Sequence, residues 1–234
     1  LKPVMLHRRG QALLERELYL RERFLLVAQK ETTWTPVRSD NAAAYVGLLH
    51  AEAEALLEYS TEQLLAQGLA AIDHSHCHPV LLNALLYYGA EAQQKLQVAV
   101  IPSKSQLMSN PVHVAWAWRE SGAAEFWAKR IKNNHGTGEK YIEQLLHPLG
   151  VQLNAKTFEK SAGNRGVERL VTLPPSLATD LRELVSLRGR AMHDRASRIQ
   201  LGVRETTNLS QMIQSGSAAA QAIATVAGKI SLLW

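Results

Sequence analysis

A single cysteine, Cys77, stands in 234 residues. No intramolecular disulfide framework can form, and a reducing, cytoplasmic compartment is expected. Nowhere do about eighteen apolar residues run together, so no membrane span is expected. The opening stretch "LKPVMLHRRG" has no apolar core of the kind a secretory signal needs. Alternation of β-branched residues is scarce, which argues against a sheet protein. No internal repeat at solenoid spacing and no low-complexity linker interrupts the chain. "GNRG" and "HGTGEK" lack the spacing of a phosphate-binding loop.

Leucine and alanine fill the space these absences leave, in long segments of helical period. An all-α protein is expected: one domain over 1–234, a helical bundle with extra helices and an irregular insertion. The segment 1–38 contributes an N-terminal helix, in which Leu14, Leu18, Leu25 and Ala28 share a face and Pro36 ends the helix. A long helix follows, capped by Ser39 or Asp40 and closing near Gly68. Further helices are expected over "VLLNALLYYGAEAQQKL", "EFWAKRIKNN" and "TGEKYIEQLLHPLG". The stretch from Gln97 to Gly122 lacks clean periodicity and reads as loop with a short strand or helical turn. "AKTFEKSAGNRGVERLVTLPP" reads as a basic connector with one helical turn. In the final segment, 205–234, Leu209, Ile213, Gly216, Ala220, Ile223, Ala227 and Ile230 form a stripe with small residues at its centre. Another helix is expected to approach closely there.

The segment "PPSLATDLRELVSLRGRAMHDRAS" starts a helix at Ser176 behind two prolines. Leu177, Leu181 and Leu184 fall on one stripe, and the next residue on it is Arg188, where the pattern asks for another leucine. The long helix holds a matching anomaly, because Glu52 lies among Tyr45, Leu49, Leu56 and Gln63 on the buried line. Glu54, Glu58 and Glu62 are expected on the solvated side. A guanidinium and a carboxylate aimed into one bundle invite pairing, since an unpaired buried charge costs several kcal/mol. Glu52 is therefore expected to position Arg188 or the adjoining site. His193, five residues on, stands about 140° round an ideal helix from Arg188. Either the helix is disturbed at Gly189, or the two side chains meet from different copies across a two-fold axis. Arg190 and Asp194 are four apart and can pair outside the bundle.

Arg188, four intervening residues and then His193, late in a helical domain, resembles the signature of HEPN ribonucleases. Three further pieces resemble their RiboL-PSP-HEPN branch: "YVGLLHAEAEALLEYSTEQLL", "NNHGTGEKYIEQLLHPLGVQL" and "LRELVSLRGRAMHDR". Together they cover 39–197. One departure is Gly189, where these nucleases usually carry a polar residue after the arginine. The resemblance implies a metal-independent, cofactor-free endoribonuclease acting as a homodimer, a toxin or defence effector. It implies cleavage of single-stranded or tRNA-like RNA to 2′,3′-cyclic phosphate and 5′-hydroxyl ends. An antitoxin or an RNA-repair enzyme is the implied further partner. In that chemistry His193 moves a proton near neutral pH, and Arg188 forks onto phosphate oxygens.

The formal charge of +5 and pI near 9.4 lean towards an anionic partner. Lys129, Arg130 and Lys132 are candidate phosphate contacts, as are Lys156, Lys160, Arg165 and Arg169, and His135 in "NNHG" is a candidate RNA contact. The tryptophans near 116–127 are expected in the core. "DHSHCHP" packs His74, His76, Cys77 and His78 together, yet no second ligand pair follows at zinc spacing, so no metal site is expected. Two other readings stay open. One is a HEPN module that binds RNA, nucleotide or a protein without cutting, and the other a structural helical domain in which Arg188 is a core ion pair.

Overall fold

The computed structural model describes residues 4–26, 36–72, 77–96, 103–193 and 205–233. Helix α1 (Val4–Leu20) runs on into a π-helical turn, Arg21–Leu26. Its buried positions are Leu6, Gly10, Leu13, Glu17 and Leu20, an alternating four–three spacing that makes one apolar stripe. This corrects the expected face, since Leu18 is 43% exposed and Leu14 only half-buried. The face is set by the closest neighbour: a Cβ on Gly10 would stand 3.3 Å from the Ala224 carbonyl oxygen. The π turn then keeps Leu20 and Leu25, five apart, both in the core, because its hydrogen bonds span five residues. Ala28 lies outside the described residues.

Pro36 opens helix α2 (Pro36–Ala70), a position where its missing N–H costs nothing; the expected caps Ser39 and Asp40 lie inside. Antiparallel α1 covers one side. Arg9 stacks 3.5 Å over the Tyr59 ring, Arg16 Nε meets Glu52 Oε1 at 3.0 Å, and Tyr45 donates to Glu17 Oε1 at 2.8 Å. The final helix, α10 (Glu205–Ser231), adds Ser217 Oγ at 3.0 Å from the same Glu17 oxygen. Gly216 is what admits Tyr45 here, for a Cβ would fall 2.1 Å from the phenol oxygen. The small-residue stripe therefore does what its composition suggests. Helix α9 (Ser176–His193) closes this layer against α2 and α10, burying Leu177, Leu181, Leu184 and Leu187.

A second group of helices packs on the C-terminal part of α2. Gly68 meets Leu81 of α3 (Pro79–Leu96), and Tyr88 stacks edge-on against Trp127 of α6 (Ala123–Lys132), 5.6 Å between centroids. The expected loop between Gln97 and Gly122 is helical from Lys104: α4 (Lys104–Ser109) and α5 (Pro111–Glu120). These helices are too short for periodicity to declare them. Local signals start them, a Ser103–Gln106 capping box and Pro111 after Asn110. Trp118 and Trp127 are buried, but Trp116 is 55% exposed.

Helix α7 (Glu139–Leu146) ends in a 3₁₀ turn, His147–Leu149, and Gly150 at φ 89°. A Cβ there would lie 2.4 Å from Asn83 Nδ2, so glycine is required twice over. The connector beyond carries more than one helical turn: α8 (Ala155–Ser161), capped by Asn154, and a two-residue parallel pairing of β1 (Val151–Gln152) with β2 (Val171–Thr172). The fold is all-α, with that pairing as its sheet among the described residues. No described helix is long and apolar enough to cross a membrane.

Candidate active site

Arg188 leaves the leucine stripe of α9 at a seam where three pieces of chain converge: α9, the middle of α2, and the turn 133–138 between α6 and α7. Glycines make the turn fit. A Cβ on Gly138 would press on Val185 of α9 at 3.2 Å, and one on Gly136 would strike the Tyr141 ring at 2.7 Å. Buried Asn134 braces the turn, donating from Nδ2 to Glu58 Oε1 at 3.0 Å and to the Gly136 carbonyl at 3.5 Å. Exposed His135 is thereby held at the rim beside Glu54, where its charge acts on that carboxylate.

From α2, one turn apart, come His50, Glu54 and Glu58. His50 is 2% exposed, its Nδ1 is 3.6 Å from Glu54 Oε2, and its Nε2 finds no partner among the described residues. Burial, and then the Arg188 charge, push its pKa down to about 4, so it is neutral at pH 7. Glu54 moves the other way. Burial and then Glu58 raise its pKa, while Arg188 and His135 pull against them. Arg188 itself is half-buried. Its charge reaches both residues, yet among the described residues it closes no ion pair within 4.0 Å. Thr137 Oγ1, buried in the same turn, is also without a partner there. A fixed cation, a half-buried carboxylate and a neutral imidazole thus share one seam, a set able to hold a phosphate oxygen and move a proton.

The chain matches no family model, no curated protein and no solved structure.

Several expectations need correcting against this geometry. Glu52 does not position Arg188; it pairs with Arg16 of α1, on a side of α2 that α1 covers, with 44% of its side chain exposed. Glu54 is the carboxylate that feels Arg188, and Glu54 and Glu58 sit in the seam rather than on a solvated face. His50 went unmarked in the sequence because a lone histidine between Leu49 and Ala51 carries no pattern; the only hint is its four-residue spacing to Glu54. Helix α9 runs unbroken through Gly189, so no disturbance there turns His193 towards Arg188. Among the described residues a Cβ on Gly189 would meet no atom within 4 Å. The side chains of Arg190 and His193, and all of Asp194, lie outside the described residues.

Of the candidate RNA contacts on α6, Lys129 and Lys132 are exposed, whereas Arg130 is half-buried and pairs with Glu91 at 3.5 Å. That tie locks α6 to α3 and gives Arg130 a scaffold role. Arg165 stacks 4.0 Å over the Tyr87 ring, and Arg169 donates to Gln152 Oε1 at 3.3 Å. His78 Nε2 lies 2.9 Å from the Leu233 carbonyl, which anchors the end of α10. Burial pushes the Cys77 thiol up to about 11. His74 and His76 lie outside the described residues, and no group of three metal-ligating side chains forms among the described ones.

Proposed function

We propose that this chain is a HEPN-type, metal-independent endoribonuclease that works as a homodimer. RNA carries its own nucleophile, the 2′-hydroxyl, so the protein need only move protons and stabilise a crowded anionic phosphorane. Arg188 supplies the fixed charge, forking onto two phosphate oxygens, and His193 supplies a proton-transfer group with a reference pKa near neutrality. The products are a 2′,3′-cyclic phosphate and a 5′-hydroxyl. The biological setting that goes with this chemistry is a toxin or defence effector restrained by an antitoxin or balanced by RNA repair.

The observation that carries the reading is Arg188 itself. A guanidinium on a core-facing stripe normally snorkels to water or closes a salt bridge. Here it is held in the seam beside a neutral histidine and a half-buried carboxylate without closing an ion pair among the described residues. The unbroken helix adds to it: Arg188 and His193 stand about 140° apart on α9, an angle that suits two copies facing each other across one phosphodiester.

Incubating the full chain with end-labelled RNA in EDTA tests this. The expected result is cleavage with cyclic-phosphate ends, lost in Arg188→Ala and His193→Ala; unchanged cleavage by His193→Ala defeats the reading. Gly189, in place of a polar side chain, favours a second one, a module that binds RNA without cutting. Retention of the labelled RNA with no products supports that alternative.

A further inference from the structure

Transesterification by a 2′-hydroxyl needs two proton transfers, one off the nucleophile and one onto the leaving 5′-oxygen. Each chain of the proposed dimer brings one His193, and a carboxylate beside Arg188 offers a second proton-transfer group within the same chain. Resting on the nuclease reading above, we propose that the carboxylate of Glu54 is the base that takes the 2′-hydroxyl proton at the Arg188 site.

The neighbouring carboxylates of α2 are already engaged. Glu52 is tied to Arg16 at 3.0 Å, and Glu58 accepts from Asn134 at 3.0 Å. Among the described residues Glu54 has only the long approach of His50 Nδ1, 3.6 Å, and its side chain keeps 21% of its surface open. It is therefore still reachable. The groups that face it are His50 and Glu58 on α2, Arg188 on α9 and His135 on the turn. The Arg188 charge favours the ionised carboxylate that a base must present. Burial and Glu58 raise its proton affinity above that of a solvated glutamate, which brings a weak base closer to useful strength at neutral pH. His50, neutral and buried, restricts the carboxylate without neutralising it.

The step balances. Glu54 takes the 2′-hydroxyl proton as the O2′–P bond forms, and Arg188 carries the charge of the phosphorane. The P–O5′ bond breaks, and the 5′-oxygen receives a proton from the His193 imidazolium. Glu54 then loses its proton to solvent and His193 regains one, which restores both groups.

Two substrates separate Glu54 from His193. On ordinary RNA, Glu54→Gln should lower single-turnover cleavage by about a hundredfold to ten-thousandfold and flatten the acid limb of its pH profile. Binding of a 2′-deoxy analogue should stay intact, and Glu54→Asp should retain measurable cleavage. A nucleoside 3′-nitrophenyl phosphate has a leaving group that needs no proton. His193→Ala should be rescued on it and Glu54→Gln should not. Wild-type rate and pH profile in Glu54→Gln, beside inactive Arg188→Ala and His193→Ala, overturn the assignment and leave the nuclease reading standing. A wild-type chain that cuts no RNA and no nitrophenyl ester overturns both. Far-ultraviolet circular dichroism of each variant identifies any that has lost its helices, and Glu54→Asp then carries the test.

Discussion

Helix α2 carries two polar clusters, and they are finished differently. Around Glu17 and Tyr45 the donors match their acceptor: two hydroxyls converge on one carboxylate oxygen, Gly216 removes the one side chain that would obstruct them, and Glu17 is 5% exposed. Around Arg188 the bookkeeping is left open. His50 Nε2 and Thr137 Oγ1 have no partners among the described residues, and the guanidinium and the Glu54 carboxylate influence each other without closing a bridge. A buried polar group left unmatched costs free energy. The first cluster is therefore what a structural network looks like, and the second leaves its valences unmatched among the described residues.

The widest separation of the two clusters should come from the proposed catalytic pair, Arg188 and His193. Arg188→Ala and His193→Ala should each lower RNA cleavage by about a thousandfold or more with the helical signal intact, measured by single-turnover kinetics beside circular dichroism. Glu17→Ala should do the reverse, leaving cleavage per folded molecule unchanged. It strips the buried Tyr45 hydroxyl of its acceptor and should cost about 3 kcal/mol, read as a lower urea midpoint at unchanged slope.

Acid should sharpen the contrast less strongly. Unfolded, His50 takes its proton near 6.5; folded, not until about 4. Between those values the unfolded state binds the extra proton. The stabilising contribution is therefore full above about pH 6.5, declines as pH falls towards 4, and changes no further below that. It is on the order of 3 kcal/mol. His147, pushed down to about 4 by burial alone, behaves alike outside both clusters. His50→Gln and His147→Gln should each flatten the loss of stability on acidification in pH-dependent melts, and only His50→Gln should also alter cleavage. The smallest effect belongs to Gly189→Ala, whose added Cβ meets no atom within 4 Å among the described residues. It should raise helix stability by about 0.5–1 kcal/mol, seen as a slightly higher melting temperature. Reduced cleavage in that same variant would mark the glycine as room kept for a second copy or for RNA.

What the sequence could tell divides along the same line. The stripe from Leu209 to Ile230 announces its own burial, because seven small or apolar residues at helical spacing have few other uses. The Leu177–Leu184 stripe does so too, and it makes Arg188 conspicuous. Side-chain partners on α2 were not legible. Spacing shows that Glu52 and Glu54 point different ways, but not which is met by α1 and which by α9, since α2 is covered from several directions. In the same way Leu14 and Leu18 satisfy a periodicity that the close approach at Gly10 overrules. Helices α4 and α5, of 6 and 10 residues, are too brief for any periodic signal; their caps were the only writing there was.

The length of α2 has a mechanical consequence. At 35 residues it is a rod of about 52 Å shared by α1, α9 and α10 along one part and by α3 and α7 along another, and Glu54 rides near its midpoint. No halfway cut through the protein can spare the seam: losing either set of flanking helices takes away one of its walls. A single clip in the loop before α9 should therefore silence catalysis even while most of the molecule stays helical.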